Sequence, residues 1–108
     1  MSESASTRGV LGPDDLAKRL QGLSGWTLED GKLVKSYAFP DFVAAVEFVD
    51  RLTVVAEAQN HHPDLFVGWG KVAVQLSSHD VGGITARDFR LAAALDDLMS
   101  GVPDPTLP

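Results

Sequence analysis

The segment Glu57-Ala58-Gln59-Asn60-His61-His62-Pro63-Asp64 lies where the hydrophobic pattern of this 108-residue chain changes from helical spacing to alternation. Pro63 stops a helix from continuing past the two histidines. Adjacent side chains diverge, so His61 and His62 cannot share one face of a helix or of a strand. We therefore expect them on irregular backbone at a helix exit, with both rings directed into one cleft.

The chain before this segment contains two helical patterns separated by a hairpin. The first helix is predicted to begin at Pro13, because proline suits the first helical position. Asp30-Gly31 is a strong turn signal between two strands, and Lys35 on the second strand is expected to be solvated. The longest helix spans residues 41–59. Its inward arc is predicted to comprise Phe42, Ala45, Val46, Val49, Leu52, Thr53 and Ala56.

The chain after this segment alternates apolar and polar residues, which indicates a second hairpin. Gly70-Lys71 is predicted to form its turn, and His79 lies just beyond its outgoing strand. Thr85-Ala86-Arg87-Asp88 resembles a capping box, with Asp in place of the more usual Glu, and predicts the start of the last helix. The apolar stripe at this helix is predicted to comprise Ile84, Leu91, Leu95 and Leu98.

The predicted order is helix, hairpin, helix, hairpin, helix. Two hairpins can join into one sheet, and amphipathic helices can cover one of its faces. We expect an α+β fold, a two-layer sandwich in which three helices lie on one face of a four-stranded antiparallel sheet. The other face would be partly open or used for oligomerisation. Residues 13–101 are predicted to form this single domain, between a loose N-terminal arm (1–12) and a loose C-terminal tail (102–108).

Composition and charge exclude several classes of protein. Hydrophobic residues make up 44% of the chain and charged residues 22%, as in ordinary globular domains. Cysteine is absent, so neither a disulfide framework nor a thiolate metal site is possible. The formal net charge of −6 argues against a nucleic-acid partner. No apolar run approaches the ~20 residues that span a membrane, and no signal peptide is apparent, so we expect a cytoplasmic protein.

All three histidines of the chain fall at the ends of predicted elements, which favours a shared site. Imidazole titrates near neutral pH, so a cluster of His61, His62 and His79 can donate and accept protons. Three solvent-exposed loop histidines are the simpler interpretation. A zinc site completed by Glu57 or Asp88 is a further alternative, ranked lower because adjacent histidines rarely bind one ion well.

Asp88 and Glu57 are the acidic residues best suited to support these histidines. Asp88 has a structural explanation in the helix cap, yet it lies beside the predicted buried stripe, where a carboxylate needs a partner. A histidine would serve, because a carboxylate can orient an imidazole. Glu57 near a helix C-terminus meets the unfavourable end of the helix dipole, which tilts slightly toward a functional role.

The spacing of these residues resembles the signature of the pterin-4a-carbinolamine dehydratase family. The matching positions are Glu57, His61-His62-Pro63, Trp69, His79 and Asp88. Similar residues extend over roughly residues 13–100, nearly the whole predicted domain. The resemblance implies helices packed on a four-stranded antiparallel sheet, in agreement with the element order. It also implies the elimination of water from a 4a-hydroxytetrahydropterin to give quinonoid dihydropterin, with neither a cofactor nor a metal.

By position, the resemblance assigns catalytic roles to His61, His62 and His79, with Asp88 in support. It also implies a substrate-binding pocket lined by Glu57, Pro63, Trp69, Ser78 and Asp80. The implied partners are a small-molecule pterin, further copies of the chain in a homodimer or homotetramer, and an aromatic amino acid hydroxylase in tetrahydropterin recycling. The alternative is a non-enzymatic binding or assembly module on the same fold with a vestigial pocket. The complete set of histidines favours the enzyme.

Overall fold

The computed structural model describes residues 9–99, so the predicted tail, the last two residues of the predicted domain and most of the predicted arm lie outside the described residues. The elements, in chain order, are helix α1 (Pro13–Leu20), strands β1 (Thr27–Glu29) and β2 (Lys32–Ala38), helix α2 (Phe42–Gln59), strands β3 (Asp64–Gly68) and β4 (Lys71–Leu76), and helix α3 (Ala86–Met99). The predicted order of helices and hairpins is confirmed.

The four strands form one antiparallel sheet in the order β1-β2-β4-β3. Strand β2 pairs with β4 to join the two hairpins, so that Leu33 faces Leu76 and Tyr37 faces Val72. All four side chains belong to the buried core that the helices cover. The expected two-layer α+β sandwich is therefore confirmed.

The two hairpin turns differ in how well the sequence indicates them. Asp30 and Gly31 both have positive φ, 51° and 74°, as a two-residue turn of the type I′ class requires. The second hairpin turns at Trp69-Gly70 rather than at the predicted Gly70-Lys71. Lys71 already pairs with Gly68 in the β3–β4 ladder, which leaves the two residues between them for the turn.

Helix α2 is confirmed, but its inward face differs from the predicted arc. Four of its residues are buried: Ala45, Phe48, Leu52 and Ala56. Three of the predicted inward positions are exposed instead: Phe42, Val46 and Thr53. Apolar residues surround much of this helix, so spacing alone does not select the buried arc. Phe48 lies inward because its ring packs against Tyr37 and Phe39, with centroid distances of 4.9 and 5.2 Å.

The other two helices contribute to the core unequally. No residue of α1 is fully buried, and its leucines at positions 16 and 20 pack against the edge of the core. In the last helical region the predicted stripe is confirmed, since Ile84, Leu91 and Leu95 are buried and Leu98 is partly buried. Within residues 9–99, no helix combines the length and the apolarity needed to cross a membrane.

Asp96 on α3 binds three side chains from the β1–β2 region. Trp26 Nε1 donates to Asp96 Oδ2 at 3.0 Å, while Lys35 Nζ and the Tyr37 hydroxyl donate to Oδ1 at 2.8 and 2.6 Å. Lys35 also donates to the Ser24 carbonyl at 2.7 Å, and its ammonium lies 4.9 Å from the Tyr37 ring centroid. The prediction of a solvated Lys35 is wrong, because this ammonium neutralises a carboxylate between the sheet and α3.

Because of the Tyr37 hydroxyl, the free energy of unfolding is expected to decrease at alkaline pH. Burial, followed by the hydrogen bond to Asp96 and the negative charge of Asp96, raises the pKa of Tyr37 well above its ordinary value of 10.0. The folded chain therefore keeps a proton that the unfolded chain loses. This contribution to stability is complete below about pH 10 and decreases as the pH rises further.

We expect Tyr37→Phe to be less stable than the wild type by about 2 kcal/mol at pH 8, because a hydrogen bond to a charged acceptor is lost. The difference should narrow by roughly 1 kcal/mol between pH 10 and pH 11, because only the wild-type unfolded chain is stabilised by ionising this residue. Urea unfolding at the three pH values measures both free energies. A difference that widens above pH 10 would contradict the raised pKa.

Candidate active site

Helix α2 ends in a Schellman turn that separates the two adjacent histidines. Asn60 adopts the left-handed conformation, with φ 51° and ψ 42°, which asparagine tolerates better than most residues. The Asn60 N–H donates to the Glu57 carbonyl, and the His61 N–H donates to the Ala56 carbonyl, each at 3.1 Å. As the chain reverses, His61 becomes buried and His62 stays exposed. The expected helix exit on irregular backbone is confirmed.

His61 is bound to a carboxylate inside the protein. Its Nε2 lies 2.5 Å from Asp88 Oδ1, and the side chains are 8% and 0% exposed. Among residues 9–99, Asp88 is the only acidic residue that is buried. A hydrogen bond at this depth is shielded from competing water, so it fixes the orientation of the imidazole ring.

The second oxygen of Asp88 binds the loop that precedes α3. Asp88 Oδ2 accepts the Ser78 hydroxyl at 3.0 Å and the Thr85 N–H at 2.9 Å. The hydroxyls of Ser78 and Thr85 are 2.8 Å apart and hydrogen-bonded to each other. Thr85 Oγ1 in turn accepts the Arg87 N–H at 3.2 Å. Asp88 therefore has both predicted roles at once. Its Oδ2 caps the start of α3, and its Oδ1 binds His61.

His62 forms a separate, exposed pair with Glu57. His62 Nε2 lies 2.6 Å from Glu57 Oε2, and both side chains are largely in solvent. Glu57 occupies the last turn of α2, so the Schellman turn carries His62 back over the preceding helical turn. An exposed pair of this kind holds its geometry weakly, because water and salt compete for both groups.

His79 lies in the loop between β4 and α3. The Ser78 N–H donates to the Gly83 carbonyl at 2.8 Å and closes this loop at its base. His79 is exposed, and its Nε2 lies 3.7 Å from Asp64 Oδ2 at the start of β3. The next residue, Asp80, accepts a hydrogen bond from Arg87 Nη2 at 2.7 Å.

The three histidines line one cleft. This cleft has a volume of about 230 Å³ and is bordered by Asn60, His61, His62, Ser77, His79, Asp80 and Arg87. A second recess of about 180 Å³ shares His62 with this cleft and is bordered by Leu52, Thr53, Ala56, Glu57, His62, Pro63 and Leu65. Three imidazole side chains therefore border one cleft, and one of them, His62, also borders the recess.

Two of the residues expected to line the pocket lie elsewhere in a single chain. Ser78 is 1% exposed and lies beneath the cleft, where its hydroxyl binds Asp88. Trp69 is 71% exposed at the β3–β4 turn. The histidines adjoin the opposite end of that hairpin, because His62 precedes β3 and His79 follows β4. Strand length, about 3.3 Å per residue, keeps the indole away from them.

Arg87 is a cleft residue that the sequence analysis did not single out. It borders the cleft from the first turn of α3 and pairs with Asp80. A cation at the start of a helix meets the unfavourable end of the helix dipole. This misplaced charge is the signal in the sequence that could have identified Arg87.

The metal alternative finds no support in the arrangement of side chains. Over the stretch from residue 9 to residue 99, no group of three or more His, Asp or Glu side chains converges as metal ligands would. His61 and His62 each bind a different carboxylate, Asp88 and Glu57, and their Nε2 atoms are already used in these contacts. The two neighbouring imidazoles are therefore directed to different carboxylates rather than to one common point.

Comparison with known proteins relates this chain to one family. The family model described as pterin 4 alpha carbinolamine dehydratase matches residues 10–98. A protein of Solibacter usitatus, provisionally named pterin-4-alpha-carbinolamine dehydratase, is 43% identical over 91 residues, which are 84% of this chain and 96% of the relative. A provisionally named counterpart from Roseiflexus castenholzii is 40% identical over 90 residues, which are 83% of this chain and 97% of the relative.

Two solved structures have similar folds. The transcriptional coactivator/pterin dehydratase from Brucella melitensis is 28% identical with a TM-score of 0.79, over 82% of this chain and 97% of that chain. A pterin dehydratase-like protein identified as a RuBisCO assembly factor in the alpha-carboxysome is 24% identical with a TM-score of 0.57, over 69% and 87%. This second likeness concerns the fold alone. Because the family model spans nearly all of the described residues, the chain belongs to the pterin 4 alpha carbinolamine dehydratase family.

Proposed function

We propose that this protein eliminates water from 4a-hydroxytetrahydropterin and releases quinonoid dihydropterin. The observation that carries the proposal is the cleft in which His61, held by the buried Asp88, meets His62 and His79. Membership of the family supports a pterin as the small-molecule substrate. An aromatic amino acid hydroxylase remains the predicted source of this substrate.

The reaction needs two proton transfers and no redox step. The C–O bond at position 4a breaks, and the leaving hydroxyl takes a proton from a general acid to become water. A ring N–H gives a proton to a general base, and its electron pair forms the new double bond. One proton is delivered and one is removed, so the balance closes with the loss of one water. Imidazoles serve both roles near neutral pH.

His61 is the best positioned of the three imidazoles. In its ionised form Asp88 accepts the His61 Nε2–H, and Ser78 and Thr85 hold the carboxylate from its other oxygen. Nδ1 is then the ring nitrogen available for proton exchange with the substrate. A positioned acid or base of this kind typically contributes a factor of about 10² to 10⁴ in rate.

His62 and His79 differ from His61 because each contacts an exposed carboxylate, Glu57 or Asp64. These pairs can open when a ligand enters, since exposed ion pairs contribute little free energy. We propose that the flat pterin ring lies in the cleft between these two histidines. The carboxylates of Glu57 and Asp80 would then be able to accept its ring and amino N–H groups, and the recess beside Pro63 would contact its apolar surface.

We also propose that the chain acts as a homodimer or homotetramer. Val43 and Val54 are 64% and 70% exposed about three turns apart on α2, and β3 lies at an edge of the sheet. Apolar residues on one helix face and an unpaired strand edge are features that a second copy can cover.

The oligomer proposal predicts a mass above that of one chain. Light scattering after size exclusion should give a dimer or tetramer for the wild type. The Val43→Lys/Val54→Lys variant should have a smaller mass, because two charges would be buried at the helix contact. Ala93→Lys, at an exposed position of α3, should keep the wild-type mass. A monomeric wild type would overturn the proposal.

The dehydratase proposal is tested by stopped-flow decay of 4a-hydroxytetrahydropterin, with and without the protein. The intermediate loses water spontaneously, so the protein-free rate is the baseline. We expect acceleration by the wild type, and losses of about 10²-fold or more in His61→Ala and in His79→Ala. Glu47→Ala, on the exposed side of α2, should keep the full rate. Folded wild type that gives no acceleration would instead favour the non-enzymatic binding module.

The role of Asp88 is tested by a pair of matched substitutions. Asp88→Asn should lower kcat by about 10²-fold, because the amide no longer accepts the His61 Nε2–H as a carboxylate does. Asp64→Asn, which changes an exposed carboxylate 3.7 Å from His79, should lower kcat by less than about threefold. Circular dichroism confirms that both variants are folded. Equal losses in the two variants would refute a special role for the buried carboxylate.

A further inference from the structure

The loop that carries His79 is short and internally hydrogen-bonded. The Ser78 carbonyl accepts the N–H groups of Val81 and Gly82 at 3.1 and 2.9 Å, and the Ser78 N–H donates to the Gly83 carbonyl at 2.8 Å. The hydrogen bonds hold residues 78–83 as one compact unit. The position of His79 therefore depends on where this unit lies on the fold.

The first residues of the loop, 78–80, are attached to the fold by one buried side-chain contact and by two weaker, exposed ones. The buried Ser78 hydroxyl binds Asp88, which fixes one end of the loop. Beyond His79, Asp80 pairs with Arg87 in partial exposure to solvent, and His79 itself is 3.7 Å from Asp64. Exposed pairs of this kind restrain a loop only weakly. These side-chain contacts involve the first residues of the loop, whereas Gly82 and Gly83 are held by backbone hydrogen bonds to Ser78.

The back of the loop is covered by residues 9–12, which we name the strap. The Leu11 N–H donates to the Ile84 carbonyl at 2.8 Å. The Val10 side chain lies so close to Gly83 that a Cβ at position 83 would be 2.7 Å from Val10 Cγ1. Real Cβ atoms do not approach other heavy atoms so closely. A side chain at position 83 therefore requires Val10 or the loop to move, so glycine suits the contact between the strap and the loop.

We propose that Val10 and Gly83 are positioning residues for His79: the strap presses on the back of the loop and sets the distance of the imidazole from the cleft. The inference deepens the proposed dehydratase and rests on it for its effect on rate. Misplacing a catalytic group by about 1 Å can cost as much as 10²-fold in rate. A rotation of the compact loop about Ser78 displaces His79, while Ser78 and His61 both stay bound to Asp88.

The test uses a substitution and its designed relief in the full-length chain. Gly83→Ala is free of backbone strain, because φ at Gly83 lies outside the left-handed region. Its methyl group nevertheless clashes with Val10, and we expect kcat/KM for 4a-hydroxytetrahydropterin to fall about tenfold. Val10→Ala in the same chain removes both γ carbons and leaves a Cβ contact of 3.5 Å, which is ordinary packing. The double variant should return to within about twofold of the wild type.

Two controls separate positioning from a general loss of stability. Gly22→Ala places a methyl 3.5 Å from the Arg19 carbonyl, at the end of α1, and should leave the rate unchanged. Nuclear magnetic resonance of the imidazole C–H signals gives a readout that does not require activity. The signals are assigned from the three single His→Ala variants. We expect Gly83→Ala to shift the His79 signals, to leave those of His61 in place, and to be reversed by Val10→Ala.

The outcomes distinguish this inference from the proposed function. If the wild type is inactive but the His79 signals move and recover as described, the proposed dehydratase activity is refuted. The proposal that the strap positions His79 is then still supported. If Gly83→Ala leaves both the rate and the His79 signals unchanged, the strap is overturned. It is also overturned if Gly83→Ala only lowers the unfolding temperature, or if Val10→Ala restores the unfolding temperature without restoring the His79 signals.

Discussion

The buried carboxylate of Asp88 is the interaction on which the arrangement of this site depends. A carboxylate without solvent contact is costly unless each oxygen is hydrogen-bonded. Here Oδ1 binds His61 from the exit of α2, and Oδ2 binds Ser78 from the end of β4 and Thr85 from the start of α3. Burying the carboxylate without these hydrogen bonds would cost free energy, so the same requirement that demands the donors also brings three elements together. Helix capping and histidine orientation are thus one requirement of the fold.

A second carboxylate on α3 acts in the same way farther along the helix. Asp96 lies eight residues beyond Asp88, about 12 Å along the axis, and binds Trp26, Lys35 and Tyr37. One carboxylate connects α3 to the cleft, and the other connects it to the β1–β2 hairpin. With Leu91 and Leu95 buried between them, α3 has a defined rotation and height on the sheet. The exposed side chains of the cleft therefore adjoin a helix that is held to the fold at both ends.

Local chemistry explains what could be predicted from the sequence. The Asp30-Gly31 turn and the helix exit before Pro63 are properties of a few neighbouring residues, and each is confirmed. The element order followed from such signals, and the sandwich followed from the element order. The histidine spacing also pointed to the residues that share the cleft.

Contacts between distant segments explain what could not be predicted. The choice of Phe48 for the core depends on aromatic rings of β2, and the position of Lys35 depends on a carboxylate 61 residues away. Trp69 matches the family spacing, yet strand geometry separates it from the cleft in one chain. The strap likewise reaches the His79 loop through a contact between residues 10 and 83. None of these contacts leaves a periodic or local mark in the sequence.

The Schellman turn at Asn60 gives two chemically identical neighbours opposite surroundings. His61 is buried and bound to the buried Asp88, whereas His62 is exposed and pairs with the exposed Glu57. The doublet therefore combines one buried imidazole and one exposed imidazole at adjacent positions. Which histidine is buried depends on its position after the left-handed Asn60, because both side chains are the same. A one-residue insertion or deletion between Asn60 and His62 would change which histidine follows the left-handed residue, so the length of this segment constrains the site as strictly as the identity of its histidines does.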